Sequence, residues 1–510
     1  MPDKEFIEVE DPGMGQSGIA VAEVVRANLD DERLRSGRLK GLTMWGAIFV
    51  LSWPVLIESF LGAMVGLVDT MLAAGISEPA TDAVGVAAYF GWFCMLLGAA
   101  LGVGVTALVS RSVGKGRFAV ANAAVGQCVL LALSTGVVGG VILWTLAPML
   151  ADLVALEGVA RDYAVDYLRV LGFGVPTITL TSACIAALRG AGDSVTPMIT
   201  MVIVNLVNTT SSFVLSGVDL PWLANPWSYD LGVHGIVLGT LISSVLGAII
   251  ITAWLIRGVG GVRLRAKRMR PHWHTIRRLV RIGLPNLFET FGMCFGNFLV
   301  IRIVGWLSAS GLYGAHVVGV RIESFSFLPG FAMCVAAASL TGQYLGAKRP
   351  DLAKRAIRRC ALVASAMMTT LGMVFIFAPA FVVGLFTQQP THLALSPQLL
   401  MIAGVIQAPF ALAIVIRGAL RGAGDTTATT AITWISTYGV RLPLVWLCCG
   451  VEIPLPWGGG GSHIPNPAPL QHLGIEPLVG VWVGLCTEIV IRFLLFAGWF
   501  IRGSWMTKKV

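Results

Sequence analysis

The heptapeptide ALRGAGD occupies residues 187–193, and the same seven residues return at 419–425, 232 positions later. An identical heptapeptide at this distance indicates a duplicated unit. Two further landmarks keep nearly the same offset, namely Pro54-Val-Leu-Ile-Glu58 with Pro285-Asn-Leu-Phe-Glu289, and Gly114 with Gly346. The sequence therefore predicts two copies of one structural unit.

Long apolar segments surround both copies of the heptapeptide. The chain has 510 residues, of which 56% are hydrophobic and 12% charged, whereas a soluble domain carries roughly 25% charged residues. Twelve runs approach or exceed the roughly 20 apolar residues that a helix needs to cross a bilayer: 45–73, 83–110, 121–150, 163–188, 196–216, 233–256, 283–306, 313–343, 360–386, 398–420, 429–450 and 478–501. These runs are continuous rather than alternating, which argues against barrel strands. The 60 glycines suit close packing of membrane helices.

The predicted fold is an all-α membrane protein with twelve transmembrane helices in two six-helix lobes. Because six spans return each copy to the same side, the lobes are expected to be related by a pseudo-twofold axis along the membrane normal. The predicted parts are an N-terminal tail (1–44), an N-lobe (45–256), a basic linker (257–282), a C-lobe (283–502) and a C-terminal tail (503–510). We expect residues 18–40 to be a solvated tail or a short amphipathic surface helix, and loop 451–476 to be an unstructured connection or a cover over the outer mouth.

The formal net charge of +9 is distributed unevenly. Lys and Arg cluster in the connections 111–117, 257–281 and 348–359 and near the C-terminus, whereas the connections 74–82, 217–232, 307–312, 387–397 and 451–476 contain none. This is the positive-inside pattern of membrane proteins rather than a nucleic-acid surface. It predicts an inner-membrane protein with both termini in the cytoplasm, with the lipid bilayer as partner and no nucleic acid, and we expect a monomer.

No residue pattern in the sequence indicates enzyme chemistry or metal binding. The nine cysteines and seven histidines show no metal-ligand spacing, and the sequence contains neither a nucleophile elbow nor a phosphate-binding loop. We therefore expect a protein that is not an enzyme and has no catalytic residues, metal or cofactor, apart from a coupling ion.

The repeated heptapeptide ends an apolar span on the basic side. Arg189 and Arg421 can reach the membrane interface or bond the last carbonyls of the helix, while Asp193 and Asp425 are placed to cap the next helix. We interpret both copies as structural turns.

Several motifs together resemble the multidrug and toxic compound extrusion (MATE) family, in its bacterial and archaeal form. They are Pro-x-x-x-Glu and Val68-Asp69-Thr70 in the first span, Leu-Arg-Gly-x-Gly-Asp after the fourth, Arg321-Ile-Glu-Ser-Phe-Ser-Phe-Leu-Pro-Gly-Phe331 and Thr341-Gly-Gln-Tyr-Leu-Gly-Ala347. The resemblance covers about residues 45–505. It implies a V-shaped pair of lobes that exports cationic or amphipathic organic compounds, driven by inward movement of protons or sodium ions.

Asp69 is the strongest functional candidate, because an ionisable residue at membrane depth is costly and usually functional. Pro54, earlier in the same span, lacks the N–H of a regular helix and predicts a bend or hinge. The resemblance implies that Asp69 takes up the coupling proton or Na⁺ and that the first helix bends in response. The alternative is that Asp69 caps its helix at the outer interface.

The resemblance also implies polar residues that support Asp69. They are Tyr167, Asn208 and Thr240, whose alternative roles are an interface aromatic and interhelical hydrogen bonds. Ser212 stands where many family members carry a second acid, so the predicted cation site has a single carboxylate.

Other charges within the spans have structural and functional interpretations. Glu58 could bond backbone groups that Pro54 leaves free, and Glu289 could pair with Arg302 or face the cleft between the lobes. Glu488 and Arg492 are spaced to pair on one helix face. Glu323 could line the cleft.

A cleft with acids, aromatic rings and methionines suits an amphipathic cation. The candidates on the first and seventh spans are Met64, Phe288, Glu289 and Met293, and their alternative location is the lipid-facing surface or the core. The predicted function is therefore antiport of small organic cations or amphipathic drugs against H⁺ or Na⁺ by alternating access. The alternatives are a flippase-like exporter of a lipid-linked precursor and a membrane receptor or scaffold without transport.

Overall fold

The computed structural model describes residues 32–34, 36–154, 156–219, 223–227, 229–307, 312–454, 463–467 and 470–508, apart from the side chains of residues 92 and 93. The membrane-spanning helices are α1 (Met44–Ile76), α2 (Glu78–Gly114), α3 (Phe118–Leu153), α4 (Gly158–Gly190), α5 (Val195–Ser216), α6 (Gly232–Arg257), α7 (Trp273–Gly305), α8 (Leu312–Gly346), α9 (Pro350–Phe377), α10 (Pro390–Val405 with Gln407–Gly422), α11 (Thr426–Cys449) and α12 (Pro477–Arg502). Each is long and apolar enough to cross a bilayer when the two parts of α10 count as one span.

The twelve predicted spans are confirmed, but prolines and a cap change some of their boundaries. Helix α10 bends by 58° at Ile406, because Pro409 has no N–H to donate to the carbonyl of Val405. The predicted span 360–386 is interrupted before Pro379, where a separate helix Pro379–Gly384 begins. The last part of the predicted basic linker belongs to α7, whose first turn is capped by His272.

Short elements fill the connections. Ala266–Arg268, Gln471–Leu473 and Ser504–Thr507 are 3₁₀ turns. Strands β1 (Ile453–Pro454) and β2 (His463–Ile464) pair antiparallel within the predicted loop 451–476. Residues 455–462 of the predicted loop and most of the predicted tail 18–40 lie outside the described residues.

Helix packing follows the duplication. Within the N-lobe α4 packs against α2 and α1 against α5, and within the C-lobe α10 packs against α8 and α7 against α11. Between the lobes α2 packs against α8, while α2 also contacts α7 and α8 contacts α1. Exchanging the repeats converts the contact of α2 with α8 into itself and each of the other contacts into another of the set. The pseudo-twofold axis therefore passes between α2 and α8.

The lobes approach most closely at the end of the molecule that carries the basic connections, called here the basic face. A Cβ added at Gly114 would lie 2.1 Å from the carbonyl oxygen of Gln343, and one added at Gly346 would lie 2.4 Å from that of Arg111. Gln343 and Arg111 occupy equivalent positions in the two repeats. Only glycine allows these backbones to touch, so the repeated glycine closes the basic face.

The first copy of the heptapeptide forms the predicted capped turn. Gly192 has φ +90° and its counterpart Gly424 has φ +82°, and this left-handed conformation is accessible to glycine without strain. The Oδ1 atom of Asp193 accepts hydrogen bonds from the backbone N–H groups of Val195 and Thr196, each at 3.1 Å. Asp193 therefore caps the start of α5.

The second copy differs from the prediction, because the Asp425 side chain makes no capping bond to α11. Its Oδ2 accepts a hydrogen bond from Trp499 Nε1 at 2.9 Å, and Lys508 Nζ lies 3.1 Å from its Oδ1. Arg111 on α2 donates to the carbonyl of Lys508 at 2.5 Å. The aspartate thus anchors the C-terminal segment, which in turn connects the C-lobe with the N-lobe.

The N-terminal segment, residues 32–34 and 36–43, also joins the lobes at the basic face. Glu32 receives two hydrogen bonds from Arg359 on α9, at 2.6 and 2.9 Å. Arg38 pairs with Asp193 beside α5. The described parts of both terminal segments therefore stabilise the contact between the lobes on this face.

A π-helical turn, Ile435–Arg441, interrupts α11. The turn positions Arg441 against Glu488 on α12, with Nη2 to Oε2 at 2.9 Å, while Arg492 Nε contacts Oε1 of the same carboxylate at 2.7 Å. The predicted Glu488–Arg492 pair is confirmed, but one carboxylate neutralises two arginines. The Glu488 side chain has no exposed surface.

Replacing Glu488 by glutamine is expected to destabilise the C-lobe by about 3–5 kcal/mol, because two buried guanidinium groups lose their counter-ion. The thermal unfolding midpoint of the detergent-solubilised protein measures the effect. Glu476→Gln, at an exposed acid just before α12, serves as the control. A midpoint in Glu488→Gln equal to that of the control would show that Glu488 does not carry this stabilisation.

Candidate functional site

Asp69 lies on α1 in the part of the N-lobe remote from the basic face. Its carboxylate lies near Ser212 on α5 and Tyr167 on α4, and the Ser212 hydroxyl donates to the carbonyl of Ile236 at 3.2 Å. The Oδ1 atom of Asp69 is buried and has no hydrogen-bond donor. The packing of α1 against α5 brings these side chains together although they are far apart in sequence.

Asn208 extends this cluster by one turn along α5, on the same face as Ser212. Its Nδ2 donates to Thr240 Oγ1 at 3.2 Å and to Ser243 Oγ at 3.4 Å on α6. Its Oδ1, like that of Asp69, is buried without a donor. We call Asp69, Tyr167, Asn208, Ser212, Thr240 and Ser243 the N-lobe polar pocket. Sequence reasoning missed Ser243, although it lies one turn after Thr240.

The pocket is suited to a proton or a small hard cation. Leaving a buried acceptor without a donor costs about 1–3 kcal/mol, and a proton on Asp69 or a cation between the oxygens offsets that cost. Carboxylate, amide and hydroxyl oxygens are ligands of hard cations. Among the described residues, no group of three or more His, Cys, Asp or Glu side chains is arranged to hold a metal ion. The pocket therefore combines one carboxylate with neutral oxygens.

Pro54 lies inside α1, fifteen residues before Asp69 and nearer the basic face. Because it lacks an N–H, the carbonyl of Val50 has no helical partner and α1 is weaker at this point. A hinge at Pro54 remains a prediction, and its position between the basic face and the N-lobe polar pocket is compatible with one.

A second space, called here the interlobe cavity, lies between the two lobes and has a volume of about 640 Å³. Helices α1, α2, α4, α5, α6, α7, α8 and α10 contribute to its wall. Its ionisable lining residues are Glu58, Arg189, Arg417 and Arg421. Asp69 lies outside this wall, nearer the opposite face. The candidate ion site and the interlobe cavity are therefore separate.

Two ion pairs in equivalent positions flank the interlobe cavity. Arg189 Nη2 lies 2.6 Å from Glu58 Oε2, and Arg421 Nη2 lies 3.0 Å from Glu289 Oε1. Each joins the first helix of a lobe to the last turn of its fourth helix. The repeated arginines therefore do more than end a helix, since each neutralises an acid within the membrane region.

The expected partner of Glu289 was wrong. Glu289 is buried and accepts hydrogen bonds from Thr429 at 2.7 Å and Thr433 at 3.0 Å in addition to its arginine. Arg302 instead lies over the ring of Trp306, because the two residues are one turn apart near the end of α7. Glu289 does not belong to the lining of the interlobe cavity.

Only one of the predicted cleft residues lines the interlobe cavity. Met293 does so, whereas Met64 and Phe288 lie elsewhere. Phe288 is 52% exposed, and its carbonyl accepts a hydrogen bond from Trp434 at 3.0 Å. Hydrophobicity does not distinguish a lipid-facing ring from a cavity-facing ring, which explains the difference.

Comparisons with known proteins identify the same duplication. The model of the MatE family matches residues 54–214 and again residues 285–447. A probable multidrug resistance protein NorM of Thermotoga maritima is 27% identical over 465 residues, covering 90% of this chain and 93% of the relative. The multidrug resistance protein NorM of Vibrio parahaemolyticus is 26% identical, with 91% and 96% covered. A crystal structure of MATE in the straight conformation superimposes with a TM-score of 0.79 at 20% identity, covering 91% of this chain and 97% of that one.

Proposed function

The chain belongs to the MatE family of membrane transporters, and from this we propose that it is a secondary antiporter that exports cationic or other amphipathic organic compounds. In this proposal a proton or sodium ion moves inward in exchange and binds at Asp69. The observation that carries the proposal is the N-lobe polar pocket, where a membrane-embedded carboxylate and an amide each have a buried oxygen without a donor.

Alternating access requires two states of the interlobe cavity. The lobes are in backbone contact at the basic face, which we place in the cytoplasm. In this state the substrate would leave toward the opposite side. Opening toward the cytoplasm requires separation of Gly114 from Gln343 and rearrangement of both chain ends.

The ion and the compound are expected to compete through α1. When Asp69 takes up a cation, its contacts with Tyr167 on α4 and Ser212 on α5 change, and flexing at Pro54 transmits that change to Glu58 at the interlobe cavity. Each elementary charge that crosses a 100 mV potential supplies about 2.3 kcal/mol. At full coupling this supports roughly 50-fold accumulation of a neutral compound per ion, whereas one-for-one exchange with a monocation moves no net charge and is driven by the concentration gradient of the ion alone.

Efflux from cells that lack their own pumps tests the proposal. Cells that express the protein are loaded with ethidium, and its fluorescence is followed after a pH jump, after a sodium jump and without a gradient. We expect efflux that at least one imposed gradient accelerates several-fold relative to cells with an empty vector. Equal traces with and without the protein under every gradient would contradict a drug antiporter.

One observation favours export of a lipid-linked precursor as a second candidate. Such exporters line their cleft with several basic residues, and the structure places Arg189, Arg417 and Arg421 on the interlobe cavity where the sequence had suggested mainly Arg302. However, Glu58 and Glu289 neutralise two of the three. This candidate predicts that an anionic lipid-linked oligosaccharide is transported while ethidium is not.

A further inference from the structure

A third space lies inside the C-lobe and has a volume of about 390 Å³. We call it the C-lobe cavity. Its wall is largely apolar and includes Phe327, Phe410, Trp482 and Phe496 from α8, α10 and α12. Ligand sites in proteins typically measure about 300–1,000 Å³ and combine such walls with a few polar groups. The C-lobe cavity therefore has the size and lining of a site for a small ring-containing molecule.

Arg417 on α10 lies on the wall of the C-lobe cavity, and the bonding of its guanidinium is incomplete. Its Nη1 atom lies 3.8 Å from the sulfur of Met293 and 3.9 Å from Glu289 Oε1, and its Nε is buried with no acceptor. Its side chain is only 13% exposed. Thioether sulfur is a weak acceptor, and a separation of 3.9 Å exceeds that of a hydrogen bond. Arg417 is thus a buried cation with unused donors.

Glu289 and Glu488 are already paired with other arginines. Glu289 is bound by Arg421 at 3.0 Å and by two threonine hydroxyls. Glu488 is shared by Arg441 and Arg492. Three arginines line the C-lobe cavity, and among its described lining residues Glu323 is the one carboxylate. The wall therefore carries a surplus positive charge at Arg417.

The duplication shows that this charge is specific to the C-lobe. The position equivalent to Arg417 is Ile185, two residues before the first heptapeptide, and Ile185 also lines the interlobe cavity. The helical turn therefore folds without a charge at this position. A buried charge in a membrane protein is expensive and commonly functional.

Arg417 also lies where a ligand could enter. Arg417 and Met293 belong to the walls of both the interlobe cavity and the C-lobe cavity. They therefore form the boundary between the two spaces. Met293 is a flexible side chain, so its movement can connect the spaces without displacement of a helix.

We propose that the C-lobe cavity binds a small amphipathic organic acid, with the acid group on the Arg417 guanidinium and an aromatic ring against Phe327, Phe410 and Trp482. The same headgroup chemistry occurs in anionic lipids, but the cavity volume selects a free acid over a lipid with two chains. The assignment of such acids as exported compounds rests on the proposed antiport function, whereas binding does not require it.

Isothermal titration of the purified protein in dodecyl maltoside tests the proposal with three probes of one ring system. These are 2-naphthoate, its neutral methyl ester and 2-naphthylmethylammonium, each with a blank of protein-free micelles. We expect 2-naphthoate to bind most tightly. Because a hydrogen bond to a charged group contributes about 1.5–3 kcal/mol, Arg417→Gln should raise the Kd of 2-naphthoate by about tenfold or more, and Arg417→Lys by less.

Matched variants separate the site from general effects. Arg302→Gln removes an arginine of the same lobe that contacts Trp306 outside the cavity, and should leave the Kd unchanged. Ile414→Phe reduces the volume of the cavity without changing its charge and should weaken the binding of 2-naphthoate. This variant tests the location of the site even if Arg417→Gln fails to fold. Dioleoyl phosphatidylglycerol in mixed micelles should not displace 2-naphthoate.

Three results would overturn the assignment. They are equal affinity of Arg417→Gln and the parent for 2-naphthoate, tighter binding of the ammonium probe than of 2-naphthoate, and full affinity in Ile414→Phe. Displacement of 2-naphthoate by phosphatidylglycerol would show that the site binds a lipid headgroup rather than a free acid. Binding that survives in a protein without gradient-driven efflux would reject the antiport function and leave this site intact.

Discussion

Replacing Asp69 by asparagine is expected to reduce gradient-driven efflux to the level of cells without the protein. Asparagine has the shape of the carboxylate but neither takes up a proton nor carries a charge that holds a cation. The gradient of the coupling ion then no longer drives the exchange, so export of the compound against its own gradient is lost.

Efflux of ethidium under pH and sodium gradients measures this effect. Asp82→Asn serves as the control, because Asp82 is an exposed acid on the neighbouring α2 near the same face, and it should transport like the parent. Gel filtration of the purified variants shows whether both remain folded. Undiminished efflux by Asp69→Asn under both gradients would place the coupling ion elsewhere.

The second large effect is expected at the contact between the lobes. Valine at Gly114 or at Gly346 places side-chain atoms where the backbone of the other repeat lies, with a Cβ at 2.1 and 2.4 Å from a carbonyl oxygen. The clash is against backbone, so it is relieved only by separation of the lobes. Each variant should therefore keep the basic face open and lower efflux at least tenfold. This corresponds to a destabilisation of the closed state relative to the open state by about 1.4 kcal/mol or more.

The distance between spin labels on the basic face reports this opening directly. Ala119→Cys and Asp351→Cys occupy equivalent exposed positions on α3 and α9, in a background with Cys448 replaced by serine, since the other described cysteines are buried. We expect a longer distance in Gly114→Val and Gly346→Val than in the parent. Gly85→Val is the control on α2, because a Cβ there meets nothing within 4 Å. An unchanged distance would show that Gly114 and Gly346 do not determine whether the lobes close at the basic face.

Features that depend on local sequence could be predicted before the structure. Apolar runs gave the twelve spans, because hydropathy and length determine whether a helix crosses a bilayer. The repeated heptapeptide gave the two lobes and their symmetry. The motif resemblance gave five members of the N-lobe polar pocket, which the packing of α1, α4, α5 and α6 brings together.

Partner choice across helices could not be predicted from spacing within one helix. Glu289 selects Arg421 rather than Arg302, because α7 packs so that its acid faces the end of α10. A signal was present, since Glu58 with Arg189 and Glu289 with Arg421 are opposite charges that both repeats retain. Two opposite charges that recur at equivalent positions in both repeats are a better guide to an ion pair than the position of either residue alone.

Local irregularities of the backbone hide other partners. Arg441 reaches Glu488 from a π-helical turn of α11, and a regular helix drawn from the sequence would orient the arginine differently. The residues that line a cavity are equally hard to predict, because Met64 and Met293 are similar in sequence context but, of the two, Met293 lines the interlobe and C-lobe cavities.

The central claim is that a cation bound at Asp69 is exchanged for the exported compound, and counting the ions released when the compound binds tests it most directly. Purified protein in weakly buffered detergent is titrated with ethidium while a pH-indicator dye and a sodium-sensitive dye record the release. The account predicts about one H⁺ or Na⁺ released per compound bound by the parent and by Asp82→Asn, and none by Asp69→Asn. Equal release by Asp69→Asn and the parent would contradict it.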